Sequence, residues 1–180
     1  MPGMHQLPPL LGAFGLACAF VIYLLLTRRP AGEGKVVKIA AAIHLGAMVF
    51  LQREYKTLAV FAALLIGLLW HFLGGDTALA FFCGAACSAL AGWLGMHAAT
   101  KANVRTTTAA HTQGAAAALS VAFYGGSIMG LCVASLGLLG LCSLYLVFGG
   151  DPETAHAIHG FGMGASTVAL FSRVGGGIYT

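Results

Sequence analysis

Five apolar tracts alternate with short polar breaks along the 180 residues. Residues 10–26 carry no charge, and with Leu7 and Thr27 they reach the roughly 20 residues that take a helix across hydrocarbon. Pro8 and Pro9 open this tract; Arg28, Arg29 and Pro30 close it. After a polar loop over 31–38, residues 39–56 are apolar but punctuated by His44, Gln52, Arg53, Glu54 and Lys56, and 57–75 are free of charge. That reads as one long helix with a wet face that protrudes beyond the lipid and then crosses it. A tight turn with Asp76 follows at 74–77, then a third tract to Thr100. Residues 106–150 contain no Asp, Glu, Lys or Arg. They have room for two crossings, but no polar turn divides them, and Lys101 and Arg105 at one end face Asp151 and Glu153 at the other, so one crossing with an extension fits best. The predicted helices are therefore about 8–27, 39–74, 78–100, 106–149 and 157–178, in a single membrane domain over 1–180. The fold class is all-α, a polytopic transmembrane bundle of about five membrane helices.

Composition supports a membrane setting. Only 8% of the residues are charged and 59% are hydrophobic, whereas soluble domains carry about 25% charged residues. The excess of 9 Lys+Arg over 5 Asp+Glu is too mild for a nucleic-acid partner. Its placement matters more. Arg28, Arg29, Lys35, Lys38, Arg53, Lys56, Lys101 and Arg105, eight residues, all fall at breaks of one parity and none at the other. By the positive-inside rule the N-terminus lies outside and the end of the fifth tract inside. The first positive charges follow the first apolar run instead of preceding it, so that run reads as a retained span and not as a cleavable signal. The 26 glycines, costly in a soluble helix, let membrane helices approach closely.

Chemistry is sparse. There is no Walker, HExxH, CxxC or G-x-S-x-G motif. GFGMGA at 160–165 imitates a dinucleotide fingerprint but has no strand before it. The five cysteines all lie in apolar tracts, which argues against disulfides. Cys83 and Cys87 share a helix face, and His156 and His159 are three apart; a metal pair fits each spacing, and packing or interfacial roles are the simpler readings. No metal ligands are assigned. Glu54 and Arg53 read as solvated interfacial charges, Lys101 and Arg105 as markers of topology, Asn103 and Thr106 as turn and cap residues. Arg173 is the one charge in the last tract, where such residues are costly and serve internal polar paths. With the glycines at 175–177 it could cradle an anion through backbone N–H groups.

Four segments carry a resemblance. FSRVGGGIYT at 171–180 resembles the FARVGGGIYT run of the membrane-bound, ion-pumping inorganic pyrophosphatases. IHLGAMVFLQREYKT at 43–57 is similar to that family's IxEGAxAFLxREYKT, with Leu45 where glutamate is usual. GMHAATKANVRTTTAA at 95–110 resembles GMxxAxxANVRTTxAA, and YGGSIMGL at 124–131 resembles GGxVMGL. The order is kept; residues 1–38 match only in character. The resemblance implies the N-terminal piece of a longer pump that hydrolyses magnesium pyrophosphate on the cytoplasmic side and moves protons or sodium ions outward. It implies Mg²⁺ held by residues beyond this piece, K⁺ as a further cofactor, a homodimer when full length, and a multi-pass protein of the prokaryotic inner membrane. It assigns no catalytic residue within these 180 residues, which alone should hydrolyse nothing. It places Arg173 at the mouth of the ion path and Tyr179 and Thr180 next to the substrate site. The alternative is a non-enzymatic transporter module or packing subunit with the same glycine-rich helices.

Overall fold

The computed structural model describes residues 7–149 and 157–179, with side chains through Gly175. It contains five helices: α1 (Leu7–Thr27), α2 (Lys35–Leu73), α3 (Gly75–Gln113), α4 (Ala115–Phe148) and α5 (Ile158–Tyr179). The fold is all-α, with no strand among the described residues. At about 1.5 Å per residue, the 39-residue α2 and α3 each run nearly 60 Å, about twice the thickness of the hydrocarbon. Four helices, α1 to α4, are long and apolar enough to cross a membrane. α5 is as long as α1, but its glycines, Ser166, Thr167, Ser172 and Arg173 make it less apolar. Large apolar side chains such as Phe14, Phe20, Leu64, Trp70, Phe72 and Phe123 cover the exterior. The chain is an integral membrane protein.

Several boundaries differ from the sequence reading: α2 begins at Lys35 and not at 39, α3 begins at Gly75 and not at 78, so that Asp76 lies in its first turn, and the largest shifts follow Thr100. α3 does not end at Thr100 but continues to Gln113, so Lys101 and Arg105 lie within a helix, and Asn103 and Thr106 are neither turn nor cap residues. α4 accordingly starts at Ala115, not at 106. The polar run 106–113 looks like a loop because it is rich in threonine. Yet each hydroxyl returns to the carbonyl one turn back: Thr106 to Ala102 at 3.0 Å, Thr107 to Asn103 at 3.0 Å, Thr108 to Val104 at 2.9 Å and Thr112 to Thr108 at 2.8 Å. Nothing stops the helix until Gly114. There φ is +88°, and at Gly74 it is +96°. Only glycine takes such angles without strain, so a single residue reverses the chain at each point.

α3 is the central element: α4, α5 and α2 pack against it, and α1 lies on α4. Contacts along the seams fix direction. Gly160 of α5 meets Thr77 and Gly164 meets Phe81, so α5 runs parallel to α3. Gly12 and Gly15 of α1 meet Leu139 and Ser135 of α4, so that pair is antiparallel. α2 and α3 are antiparallel as well, with His44 beside Thr100 and Tyr55 beside Ala89. α1, α3 and α5 therefore point one way and α2 and α4 the other.

The core is built from small side chains. Ala19, Ala98, Ala102, Val121 and Ile128 join α1, α3 and α4; Leu58, Phe81, Ala85 and Val168 join α2, α3 and α5. In lipid, burial of apolar surface no longer favours helix association over exposure to acyl chains, and dispersion at short range takes its place. Alanine and glycine at the seams supply that short range.

Candidate functional site

α5 is held in register by glycine. A Cβ on Gly164 would run into the Phe81 carbonyl of α3, and one on Gly84 of α3 would run into the Phe161 carbonyl of α5. With the two backbones in contact, the positions of Ser172, Arg173 and Gly175 two turns further on are set.

Arg173 is exposed and lines a cleft of about 430 Å³ together with Tyr55, Ser88, Gly92, Met129 and Ser172. It makes no ion pair or hydrogen bond among the described residues. The cleft floor is ordered by Tyr55, whose hydroxyl donates to the Ala89 carbonyl at 2.6 Å. Gly92 makes room for that phenol, since a Cβ there would approach the Tyr55 oxygen to 2.9 Å. A guanidinium in such a place offers fixed positive charge and five donors to whatever enters.

The next seam holds a surprise relative to the sequence reading. Glu54 is not a solvated charge. Both its carboxylate oxygens are shielded from solvent and have no hydrogen-bond partner. The Ser172 hydroxyl of α5 lies beside it, without meeting hydrogen-bond geometry at either oxygen. Gly175 is so near that a Cβ there would sit 3.0 Å from Oε1. A second cleft, about 610 Å³, opens between α2 and α5 here, lined by Phe50, Arg53, Glu54, Thr57, Phe171 and Gly175. Arg53 stays exposed, as expected for an interfacial charge.

Arg105 behaves in the opposite way. Its guanidinium donates to the Thr27 carbonyl at 3.0 Å, to the Arg29 carbonyl at 3.1 Å and to the Lys101 carbonyl at 2.8 Å. It caps the C-terminal end of α1, where orphan carbonyls and the helix dipole both favour a cation. With the exposed Arg28, Arg29, Lys35 and Lys38 it forms a basic collar at one end of the bundle. From Lys38 to Glu54 along α2 is sixteen residues (54 − 38), or roughly 24 Å at about 1.5 Å per residue. Glu54 and Arg173 thus form a separate layer, well inside the collar.

Between the layers sits a group that sequence reasoning did not single out. His44 Nδ1 lies 2.7 Å from Thr100 Oγ1, its ring meets His97 edge-on with centroids 5.1 Å apart, and Trp93 stacks on His97 at 5.7 Å. The two histidines are far apart in sequence, and no local spacing announces the pair.

The remaining candidates stand as follows. Tyr179 is the last residue of α5, and its side chain is outside the described residues, as is all of Thr180. His156 also falls outside them. Cys83 and Cys87 are free thiols packed in the α3–α4–α5 cluster, and a Cβ on Gly140 would touch the Cys87 sulfur at 3.0 Å. Among the described residues no three His, Cys, Asp or Glu side chains gather as metal ligands would.

Comparison with known proteins gives this geometry a context. The family described as Inorganic H+ pyrophosphatase matches residues 13–180. A K⁺-insensitive pyrophosphate-energized proton pump of Methanosarcina mazei is 42% identical over 96% of this chain and 25% of its own length. A second K⁺-insensitive pyrophosphate-energized proton pump, from Moorella thermoacetica, is 43% identical over 97% of this chain and 26% of its own length. A K⁺-stimulated pyrophosphate-energized sodium pump of Thermotoga maritima is 39% identical over 93% of this chain and 26% of its own length. The chain spans about a quarter of the length of the curated relatives it matches.

Proposed function

The chain belongs to the inorganic H⁺ pyrophosphatase family, and from that membership we propose that it forms part of a pump coupling pyrophosphate hydrolysis to outward movement of protons or sodium ions. The observation that carries the reading is the match over 13–180, which includes the whole of α5 and Arg173. Relatives with both proton-pump and sodium-pump names match to similar degrees, and one is K⁺-stimulated. The transported ion and a role for K⁺ are thus open to direct measurement. A prokaryotic inner membrane, a homodimeric pump and cytoplasmic placement of the basic collar complete the reading.

Within it, Arg173 is an ion-path residue and Tyr179 and Thr180 are substrate-adjacent. The exposed guanidinium in its cleft supports the first role: a fixed cation repels passing cations and keeps a facing carboxylate ionised. Magnesium ions, when bound with pyrophosphate, neutralise its oxygens and help orient the attacking water. The carboxylates among the described residues do not suit that task. Glu33, Glu54 and Asp76, the ones among the described residues, lie on separate parts of the fold. The metal-holding residues belong elsewhere in the pump, and this chain contributes packing, ion path and approach to the site.

The test is reconstitution of the complete pump carrying this segment into vesicles. Magnesium-dependent phosphate release from pyrophosphate, with ion uptake abolished by a proton or a sodium ionophore, is the expected result; added K⁺ reads out stimulation. Hydrolysis without uptake, or no hydrolysis, would sink the reading. The 180 residues purified alone should release no phosphate above a buffer blank. Sidedness is read separately by cysteine labelling: Asp76→Cys should react with an impermeant reagent from outside, and Glu33→Cys should not.

A further inference from the structure

We propose that the cleft between α1 and α3, with Arg28, Arg29 and Lys101 at its mouth, binds one acidic phospholipid, an acyl chain in the cleft and the phosphate on the three cations. The inference depends on the membrane setting and not on the pump reading. Its starting point is how α1 is held. α1 packs along α4 and touches α3 far less. Arg105 of α3 ties down its C-terminal end, donating to the Thr27 and Arg29 carbonyls. Below that bridge a cleft of about 320 Å³ opens between α1 and α3, with α4 as its floor. Leu16, Phe20 and Tyr23 form the α1 wall, Leu94 and His97 the α3 wall, and Ile128 lies on the floor. Trp93 stacks on His97 at 5.7 Å and His44 meets it edge-on at 5.1 Å, so that wall is fixed.

Charge and shape follow one another along the bundle as they do along a lipid. Lys101 and Arg105 succeed His97 at one-turn intervals, so all three stand on one face of α3. Arg105 spends its donors on backbone carbonyls. Arg28 and Arg29 are exposed, Lys101 is half-buried, and none of these three side chains makes a hydrogen bond or ion pair among the described residues. Lys35 and Lys38 add positive charge nearby, and Glu33 is the one acid at this end among the described residues. A basic cluster beside a membrane helix attracts anionic headgroups, and guanidinium donors match phosphate oxygens. Tyr23 and His97, ring centroids 6.2 Å apart, supply polar groups at the end of the cleft nearest the cations, where the glycerol esters would lie. From Leu16 to Tyr23 the cleft runs seven residues (23 − 16), roughly 10 Å, and Arg28 follows Tyr23 by five (28 − 23), roughly 8 Å. One extended acyl chain covers that distance. A free phosphate would use the cations and leave the cleft empty, and a neighbouring helix, about 10–12 Å across, is too wide to enter it. Seated there, the lipid completes the contact between α1 and α3 that the side chains leave open.

The complete protein carrying this segment, purified in detergent, tests this. The probe is a phosphatidylglycerol with a photoreactive diazirine in mid-chain, and peptide mass spectrometry locates the crosslinks. They should fall in 16–23 and 94–98. Unlabelled phosphatidylglycerol should suppress them at about a tenth, or less, of the concentration that phosphatidylcholine with the same acyl chains requires. Inorganic phosphate should not suppress them. Arg28→Gln, Arg29→Gln and Lys101→Gln together should remove the preference for phosphatidylglycerol. Crosslinks confined to other helices, as expected where another part of the protein covers the cleft, overturn the proposal. So does equal competition by the two lipids in the wild type, which holds even where the triple variant does not fold. Suppression by inorganic phosphate would mean that the cations alone make the site, and a folded triple variant that keeps the preference would mean that they do not; either result also overturns it.

Discussion

α5 has two seams, and they are built on different principles. Against α3 it places Gly160 and Gly164 on Thr77 and Phe81, backbone to backbone. Against α2 it leaves a cleft of about 610 Å³, bordered by a carboxylate without a partner. The first seam gains dispersion over many short contacts and tolerates no added atom. The second forgoes that gain and shelters a charge-bearing group. The asymmetry fixes α5 to α3 and leaves a cleft on its α2 side.

The strongest way to break this contrast is Gly164→Leu. The new side chain would run into the Phe81 carbonyl and the Ala85 backbone nitrogen of α3, so overpacking should cost about 3 kcal/mol or more. Loss of folded protein, followed by thermal unfolding in detergent, is the expected outcome; a wild-type midpoint would show that the α3–α5 seam is not tight. Arg173→Ala probes the open side instead. In vesicles it should lower ion uptake far more than it weakens pyrophosphate binding, and wild-type values for both would leave Arg173 as a side chain that merely snorkels to the interface. Arg105→Met comes next. It keeps the apolar stem but removes three donated hydrogen bonds, of which water can replace part, so a loss of about 1–2 kcal/mol is expected. The coupling of uptake to hydrolysis should be unaffected, and Lys101→Met, which removes a charge without those bonds, should lower the unfolding midpoint less. Gly46→Ala is the mildest. Nothing lies within 4 Å of a Cβ there, and alanine should stabilise the helix by up to about 1 kcal/mol. Destabilisation in the complete pump would mean that another helix of the pump fills the α2–α5 cleft.

Much of the architecture follows from the sequence by itself. Tract length, the placement of Lys and Arg, and Gly74 determine the helix count, the alternation of direction and one of the reversals, because each depends on residues close together in the chain. Arg173 stands out in the sequence for the same reason: a lone charge in an apolar tract is conspicuous locally. The run 106–113 was misread because threonine is polar in sequence yet satisfies its own hydroxyl on a helix. Glu54 was misread because Arg53 and Lys56 around it give the look of an interfacial cluster. Its burial depends on Ser172 and Gly175, more than a hundred residues away (172 − 54 = 118). Only the tertiary structure decides such a match. The register between α2 and α5 is set indirectly, by glycines that lock α5 onto α3 and by the α2–α3 hairpin, and no local pattern encodes the sum of those two shifts. Which charge meets water and which meets another helix is determined there.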